Sequence, residues 1–194
     1  MKISEIINKS FSNSIDTMNK SFDDEKLIHS IGSAATKIIE TYKSKGKVML
    51  AGNGGSAADC QHVCAELVGR LNFDRSPLSA VALTVDTSNL TCIANDYGYD
   101  HVFARQMEAI AQSNDTLMVY TTSGSSKNIL LLIEKARKRV KNIISLTGLN
   151  TKDLEKYSDV VISVNSSTTT RIQEVHALIG HILCECVEET LFKR

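Results

Sequence analysis

His62 and Glu66 stand four residues apart in a stretch compatible with a helix, so their side chains project from one helical face. An imidazole beside a carboxylate can share a proton, a substrate or a metal ion, while on a wholly solvated helix it is only an ion pair. Val63, Ala65 and Leu67 around the pair favour burial next to a ligand. Six residues before His62 ends the loop Gly52-Asn53-Gly54-Gly55-Ser56, and a second small-residue loop runs Thr121-Thr122-Ser123-Gly124-Ser125-Ser126. Each can offer backbone N–H groups, hydroxyls and the positive end of a following helix to an anion. Neither loop contains Lys or Arg, which suits a phosphate monoester held by neutral donors. The GxxxxGK[ST] pattern of triphosphate-binding loops is absent, and only the loose GxGxxA form of a dinucleotide fingerprint fits Gly52–Ala57. That fingerprint wants an acidic residue ending the next strand; Asp74 precedes the strand and Asp86 lies beyond it. Near the C-terminus, Gln173, Glu174, His176 and His181 share one helical stretch, where a histidine is more often a core residue than a catalyst. Cys60, Cys64, Cys184 and Cys186 read as small core residues.

The elements that must position these groups alternate between short apolar strands and helices. The runs Val48–Ala51, Leu78–Leu83, Thr116–Tyr120, Ile143–Leu146 and Val160–Val164 are unbroken rather than alternating, as in a parallel sheet covered on both faces. Helices are expected to about Arg70, through Arg139, briefly after Gly148, and from the Thr168–Thr170 region to about Phe192. The fold class is therefore α/β, an open five-stranded parallel sheet sandwiched by helices. Ligands of such sheets bind beyond the carboxyl ends of the strands, where both loops fall. Before the first strand, Ile3, Ile6, Ile7, Phe11 and Ile15, then Leu27, Ile28, Ile31, Ala34, Ile38 and Ile39, recur at helical spacing, with Asp23 and Asp24 at the N-cap between them. This divides the chain into a helical extension, 1–45, expected to pack on a partner chain, and a compact unit, 46–194.

Composition bounds the function classes. The 194 residues are 42% hydrophobic, enough for one sizeable core, and 22 basic residues balance 22 acidic ones. That balance argues against a broad nucleic-acid surface. No apolar run approaches the roughly 20 residues that cross a bilayer. The N-terminus lacks the apolar core of a signal peptide, and five cysteines without zinc-ribbon spacing read as reduced thiols, so a cytoplasmic setting is expected.

Four motifs in order resemble those of the bacterial phosphoheptose isomerase family, within the sugar isomerase (SIS) domain superfamily. They are Ala51-Gly-Asn-Gly-Gly-Ser-Ala-Ala-Asp-Cys-Gln-His-Val-Cys-Ala-Glu-Leu67, Asn95-Asp-Tyr-Gly98, Thr122-Ser-Gly-Ser-Ser126 and Arg171-Ile-Gln-Glu174. The resemblance runs from about Lys47 to the C-terminus. It implies isomerisation of sedoheptulose 7-phosphate to D-glycero-D-manno-heptose 7-phosphate, the entry to activated heptose for lipopolysaccharide or other surface glycans. It implies substrate contacts at Asn53, Gly54, Gly55, Ser56, Glu66, Asn95, Asp96, Thr121, Thr122, Ser123, Ser126 and Gln173. It further implies a zinc ion at His62, Glu66, Gln173 and His181, and a homotetramer with sites near subunit boundaries. The chain departs from the family in having Thr121 for a common serine, and Thr168 where an aspartate is often found.

Such a reaction moves a proton between adjacent carbons through an enediol(ate), which needs a base, an acid and a fixed substrate. Glu66 is the expected base and His181 the expected acid or proton shuttle. Gln173 and His181 are eight residues apart, about 12 Å along a straight helix, too far to ligate one ion from the same helix. Either Gln173 lies at a distorted helix start or one ligand comes from another subunit, and a site shared between chains is the expectation. The other function class is a non-catalytic SIS adaptor that binds the replication initiator; such adaptors lose the residues at Glu66 and His181, which this chain keeps.

Overall fold

The computed structural model describes residues 2–193. The chain opens with α1 (Ile3–Phe22) and α2 (Glu25–Lys43), then β1 (Val48–Gly52), α3 (Gly55–Val68), β2 (Ala80–Ala82) and α4 (Thr87–Tyr97). A single 3-10 turn (Tyr99–His101) leads to α5 (Val102–Ile110), β3 (Thr116–Thr121), α6 (Lys127–Ala136), β4 (Asn142–Thr147), β5 (Val160–Ser163) and α7 (Thr169–Phe192). All strands are parallel, in the order β2-β1-β3-β4-β5. The chain enters the sheet at β1, adds β2 on one side and then β3 to β5 on the other. The direction of winding thus reverses between β1 and β3, which opens a crevice at their carboxyl ends.

Every residue of β1, β3 and β4 is buried, which explains their unbroken apolar character. One face packs Leu50, Met118, Tyr120 and Leu146 under α2, α3 and α7. The other packs Met49, Leu117, Val119 and Ile143 under α4, α5 and α6. The amino edge of the sheet is stitched by buried polar groups. Asp115 accepts from Lys47 N (2.9 Å) and Gln112 N (2.7 Å) and pairs with Lys47 Nζ, and Thr41 and Thr116 share a hydrogen bond of 2.6 Å.

The two N-terminal helices have different fates. Asp24 caps α2, accepting from Lys26 N (3.0 Å) and Leu27 N (3.1 Å). The helix then buries Leu27, Ile31, Ala34, Ala35 and Ile38 within its own chain's core, so partner packing is not what covers that face. Helix α1 instead leaves Ile3, Ile6, Ile7, Phe11 and Ile15 exposed. It is tethered to α7 by Ser14 Oγ, which donates to Glu174 Oε2 (2.7 Å), and by Arg171 Nη1, which donates to Ser10 O (2.6 Å). The short helix expected after Gly148 is a series of turns over 152–157. Leu154 N and Glu155 N both donate to Thr151 O, Tyr157 N and Ser158 N both donate to Leu154 O, and Leu154 is buried.

Candidate active site

The two small-residue loops stand side by side at the crevice. After β1, Gly54 adopts φ +58°, a left-handed conformation that opens α3 at Gly55. After β3, Gly124 adopts φ +65° and packs against the Asn150 carbonyl, which also accepts from Thr147 Oγ1 (3.1 Å). Asn150 Nδ2 donates to Ser123 O (3.1 Å), so this loop is held from β4. Thr121 Oγ1 and Ser126 Oγ lie 3.5 Å apart, and Ser126 is the N-cap of α6. The N-termini of a 14-residue and a 10-residue helix thus converge on one place, with hydroxyls and main-chain N–H groups but no lysine or arginine within either loop. That is an anion cradle of neutral donors.

The chemistry-bearing side chains gather farther along α3. His62 and Glu66 project from it and His181 from α7. His62 Nε2 lies 3.2 Å from Glu66 Oε1, and His181 Nδ1 lies 2.7 Å from the same oxygen. The two imidazoles meet edge to face, with ring centroids 4.9 Å apart. The Glu66 side chain is 10% exposed while His62 and His181 are 55% and 41% exposed, so a buried carboxylate faces solvent only through two histidines. Its second oxygen, Oε2, is buried without a hydrogen-bond partner. One donor atom from each of the three residues lies within 4.8 Å of the others. Two imidazole nitrogens and a carboxylate oxygen at that spacing suit zinc. The orphaned Oε2 adds a second oxygen with no competing partner, so the residues present fit the ion.

Gln173 is not with them. It sits in the second turn of an unbroken α7, and a carbon added to Gly55 would lie 2.5 Å from Gln173 Nε2. Within one chain its amide therefore rests on the start of α3, at the glycine-loop end of the site. Helices α3 and α7 run alongside each other, with Gly55 and Gln173 at one end and Glu66 and His181 at the other. Asn95 and Asp96 lie on the last turn of α4, both exposed and joined by a 2.8 Å hydrogen bond. Thr168 is the exposed N-cap of α7.

The two histidines of α7 divide: His176 is the core residue that an apolar helix suggests, whereas His181, despite its apolar neighbours, is 41% exposed at the site. His176 is fully buried, with Nε2 3.2 Å from Thr147 O, and burial holds its pKa down to about 4, so it is a neutral core residue. Burial pushes the Cys184 thiol far up, and the neighbouring Glu66 carboxylate pushes it further, so it is an inert thiol under the site. All five cysteines are free.

Three contributors are not visible as motifs. Asn128 and Tyr99 both hydrogen-bond Asn53. Arg75 reaches back to the carboxyl end of α3, donating to Glu66 O (2.7 Å) and Leu67 O (2.8 Å), and pairs with Glu188 of α7 (3.0 Å). A helix end leaves carbonyls unpaired, and here a guanidinium satisfies those next to the Glu66 carboxylate.

Comparison with known proteins agrees with this architecture. A family model described as SIS domain matches residues 10–148. A phosphoheptose isomerase of Sulfurimonas denitrificans is 45% identical over 190 residues, covering 98% of this chain and 95% of that one. Two solved structures are closely similar. The phosphoheptose isomerase of Neisseria gonorrhoeae has a TM-score of 0.90 at 37% identity, and that of Francisella tularensis 0.92 at 34%. Each match covers 97% of this chain and the whole of the other. With the SIS model spanning most of its length and near-full-length relatives at this identity, the chain belongs to the phosphoheptose isomerase family of SIS-domain proteins.

Proposed function

We propose that the chain converts sedoheptulose 7-phosphate to D-glycero-D-manno-heptose 7-phosphate, an aldose–ketose isomerisation. The observation that carries the reading is the joining, in this family's fold, of a neutral-donor anion cradle to a Glu66 carboxylate bracketed by His62 and His181. Thr121, Thr122, Ser123 and Ser126 bind the phosphate, and Asn53, Gly54, Gly55 and Ser56 line the adjoining end of the sugar. Asn95 and Asp96 contact its hydroxyls. Glu66 takes the proton from the carbon beside the carbonyl and returns it to the neighbouring carbon, while His181 moves a proton at the sugar oxygens. Partial burial behind the two histidines limits water at the carboxylate.

His62, Glu66 and His181 would hold a zinc ion, with Gln173 of a neighbouring copy as the fourth donor. Zinc bound there supplies a Lewis acid that polarises the carbonyl and stabilises negative charge on the sugar oxygens. Within one chain Gln173 precedes His181 by eight residues, about 12 Å on a regular helix, which is why the fourth donor is assigned to another copy. The exposed apolar stripe of α1 serves that assembly, a homotetramer, with residues 46–194 as the catalytic unit. The product feeds activated-heptose synthesis for lipopolysaccharide or another surface glycan in the cytoplasm.

The test is purified protein with sedoheptulose 7-phosphate in deuterated water, followed by NMR. An aldose product carrying deuterium at the exchanging carbon, lost in a folded Glu66→Gln variant, is expected. No product and no exchange, with zinc added and the protein assembled, would overturn the reading. Full turnover in Glu66→Gln would remove the base assignment alone.

A further inference from the structure

The side-chain amide of Asn53 is held by three hydrogen bonds. Asn53 Nδ2 donates to Asn128 Oδ1 (2.9 Å), and Asn128 Nδ2 donates back to Asn53 Oδ1 (2.8 Å). Tyr99 Oη donates to the same Asn53 Oδ1 (3.1 Å), reaching in from the 3-10 turn between α4 and α5. Asn128 is the second residue of α6 and buried; Asn53 is half-buried and Tyr99 exposed. Among the described residues, the Asn53–Asn128 pair supplies the only side-chain hydrogen bonds that join the loop after β1 to the segment opening α6. It therefore spans the crevice where the winding of the sheet reverses.

A primary amide offers two N–H donors and two oxygen lone pairs. Both lone pairs of Asn53 Oδ1 are engaged, as is one Nδ2 hydrogen, so one N–H remains. We propose that Asn128 and Tyr99 are positioning residues that hold Asn53 as a single N–H donor, reserved for an oxygen acceptor on the sugar phosphate. Asn53 so held cannot accept from a substrate hydroxyl. The pair also fixes the spacing of the two loops before substrate arrives, so that no part of this geometry has to be assembled on binding. The identity of the ligand rests on the isomerase reading; the three hydrogen bonds do not.

The experiment is a double-mutant cycle of Asn53→Ala and Asn128→Ala, read in both kcat/KM for sedoheptulose 7-phosphate and thermal unfolding. Asn128→Ala is expected to lower kcat/KM about 10- to 100-fold, with the same division between kcat and KM as Asn53→Ala. The double variant should be no worse than Asn53→Ala alone, because Asn128 acts through Asn53. Where Asn128→Ala fails to fold, Asn128→Asp replaces it. That variant keeps an oxygen facing Asn53 Nδ2 but sets another against Asn53 Oδ1, and the same loss is expected. Tyr99→Phe should raise KM by a smaller factor without moving the unfolding midpoint. Losses that add across the cycle, or a kcat that falls only with the folded fraction at unchanged KM, would overturn the proposal. Should the wild type turn over no sedoheptulose 7-phosphate, the isomerase reading falls and the cycle is read in the unfolding midpoint. Additive midpoint losses there overturn the lock, and non-additive losses support it.

Discussion

Replacing Glu188 with glutamine should destabilise the protein far more than its distance from substrate suggests. The carboxylate accepts from Asn72 N (2.7 Å), Leu71 N (3.1 Å) and Arg75 Nε (3.0 Å), and the two ionic side chains are 1% and 2% exposed. Arg75 in turn donates to the carbonyls of Glu66, Leu67, Gly69 and Ser76 and lies over the Phe192 ring. Glu188→Gln preserves shape but removes the counter-charge and sets an NH2 against groups that are all donors. Breaking one side of a buried pair leaves an uncompensated charge, at a cost of about 3–5 kcal/mol. For a chain of this length that corresponds to a fall in Tm of about 6 to 20 °C, measured at fixed protein concentration. An Arg75→Met, Glu188→Leu double variant should recover only part of the loss. It abolishes the unpaired charge but leaves the Glu66 and Leu67 carbonyls without their donor. Burial alone would raise the pKa of Glu188, but the Asn72 and Leu71 N–H groups and the guanidinium outweigh it and hold the carboxyl below its usual range. Because the folded-state value is the lower one, the stabilisation is present above the ordinary carboxylate pKa near 4.5 and is lost as pH falls through the folded value. A Tm change below about 2 °C in Glu188→Gln would refute the argument, since that is less than 1 kcal/mol.

His176 gives a second pH signature. Its pKa is near 4 in the folded protein against 6.5 ordinarily, so the unfolded chain takes up a proton first as pH falls between those values. Urea unfolding should show about 3 kcal/mol lost across that window, and a folded His176→Leu variant should lack this part of the acid loss. Gly55→Ala adds a carbon where Gln173 Nε2 now rests, at 2.5 Å, in a helical position that alanine favours. Activity should fall while Tm changes little; unchanged activity would mean that the Gln173 amide is not needed where it lies. Ile7→Glu combined with Phe11→Glu places charge on the exposed face of α1 and should dissociate the proposed tetramer in light scattering, with helical content unchanged. Calorimetric titration of chelator-treated protein with zinc should give one ion per chain, and a folded His181→Gln variant should bind it about 10- to 100-fold more weakly or not at all.

The sheet was legible because burial on both faces leaves a simple trace, an unbroken apolar run ending in Gly, Thr or Ser, as in Val48–Gly52 and Thr116–Thr121. Strand β2 is shorter than the run Leu78–Leu83 because Leu78 N donates to Leu67 O, spending the start of the run on the end of α3. Residues 87–110 were harder. Gly98, at φ +86°, splits the apolar positions Leu90, Ile93, Phe103 and Met107 into two runs too short to show a period. At the site, His62 and Glu66 were readable from their i, i+4 spacing alone. The arrival of His181 at the same oxygen is not in the spacing and comes only through the family resemblance, because it depends on how α7 packs alongside α3. Gly180 lets α7 come close, with a carbon there falling 2.7 Å from Val63. Asn128 and Arg75 left no signal of their own. A buried amide and a buried guanidinium look like surface residues until their partners are known.

The two edges of the sheet show why the site is where it is. At the amino edge Asp115 and Asp159 satisfy main-chain donors: Asp159 Oδ2 accepts from Ile143 N (2.8 Å) and Asp115 accepts from Lys47 N and Gln112 N, while Asp159 Oδ1 accepts from the Arg137 side chain (2.7 Å). Carboxylates occupy that edge by accepting from main-chain N–H groups where the chain enters the strands, and they seal it. At the carboxyl edge the loops carry no acidic residue between Gly52 and Ser56 or between Thr121 and Ser126. Two helix N-termini open there with hydroxyls and glycines, so their donors remain for an external anion. The nearest carboxylate of the reaction centre, Glu66, is set back eleven residues along α3, about 16 Å on a regular helix. In the proposed reaction, that separation keeps the substrate phosphate away from the Glu66 carboxylate. The same fold therefore holds an anion cradle of neutral donors at one end of α3 and a carboxylate flanked by two imidazoles at the other.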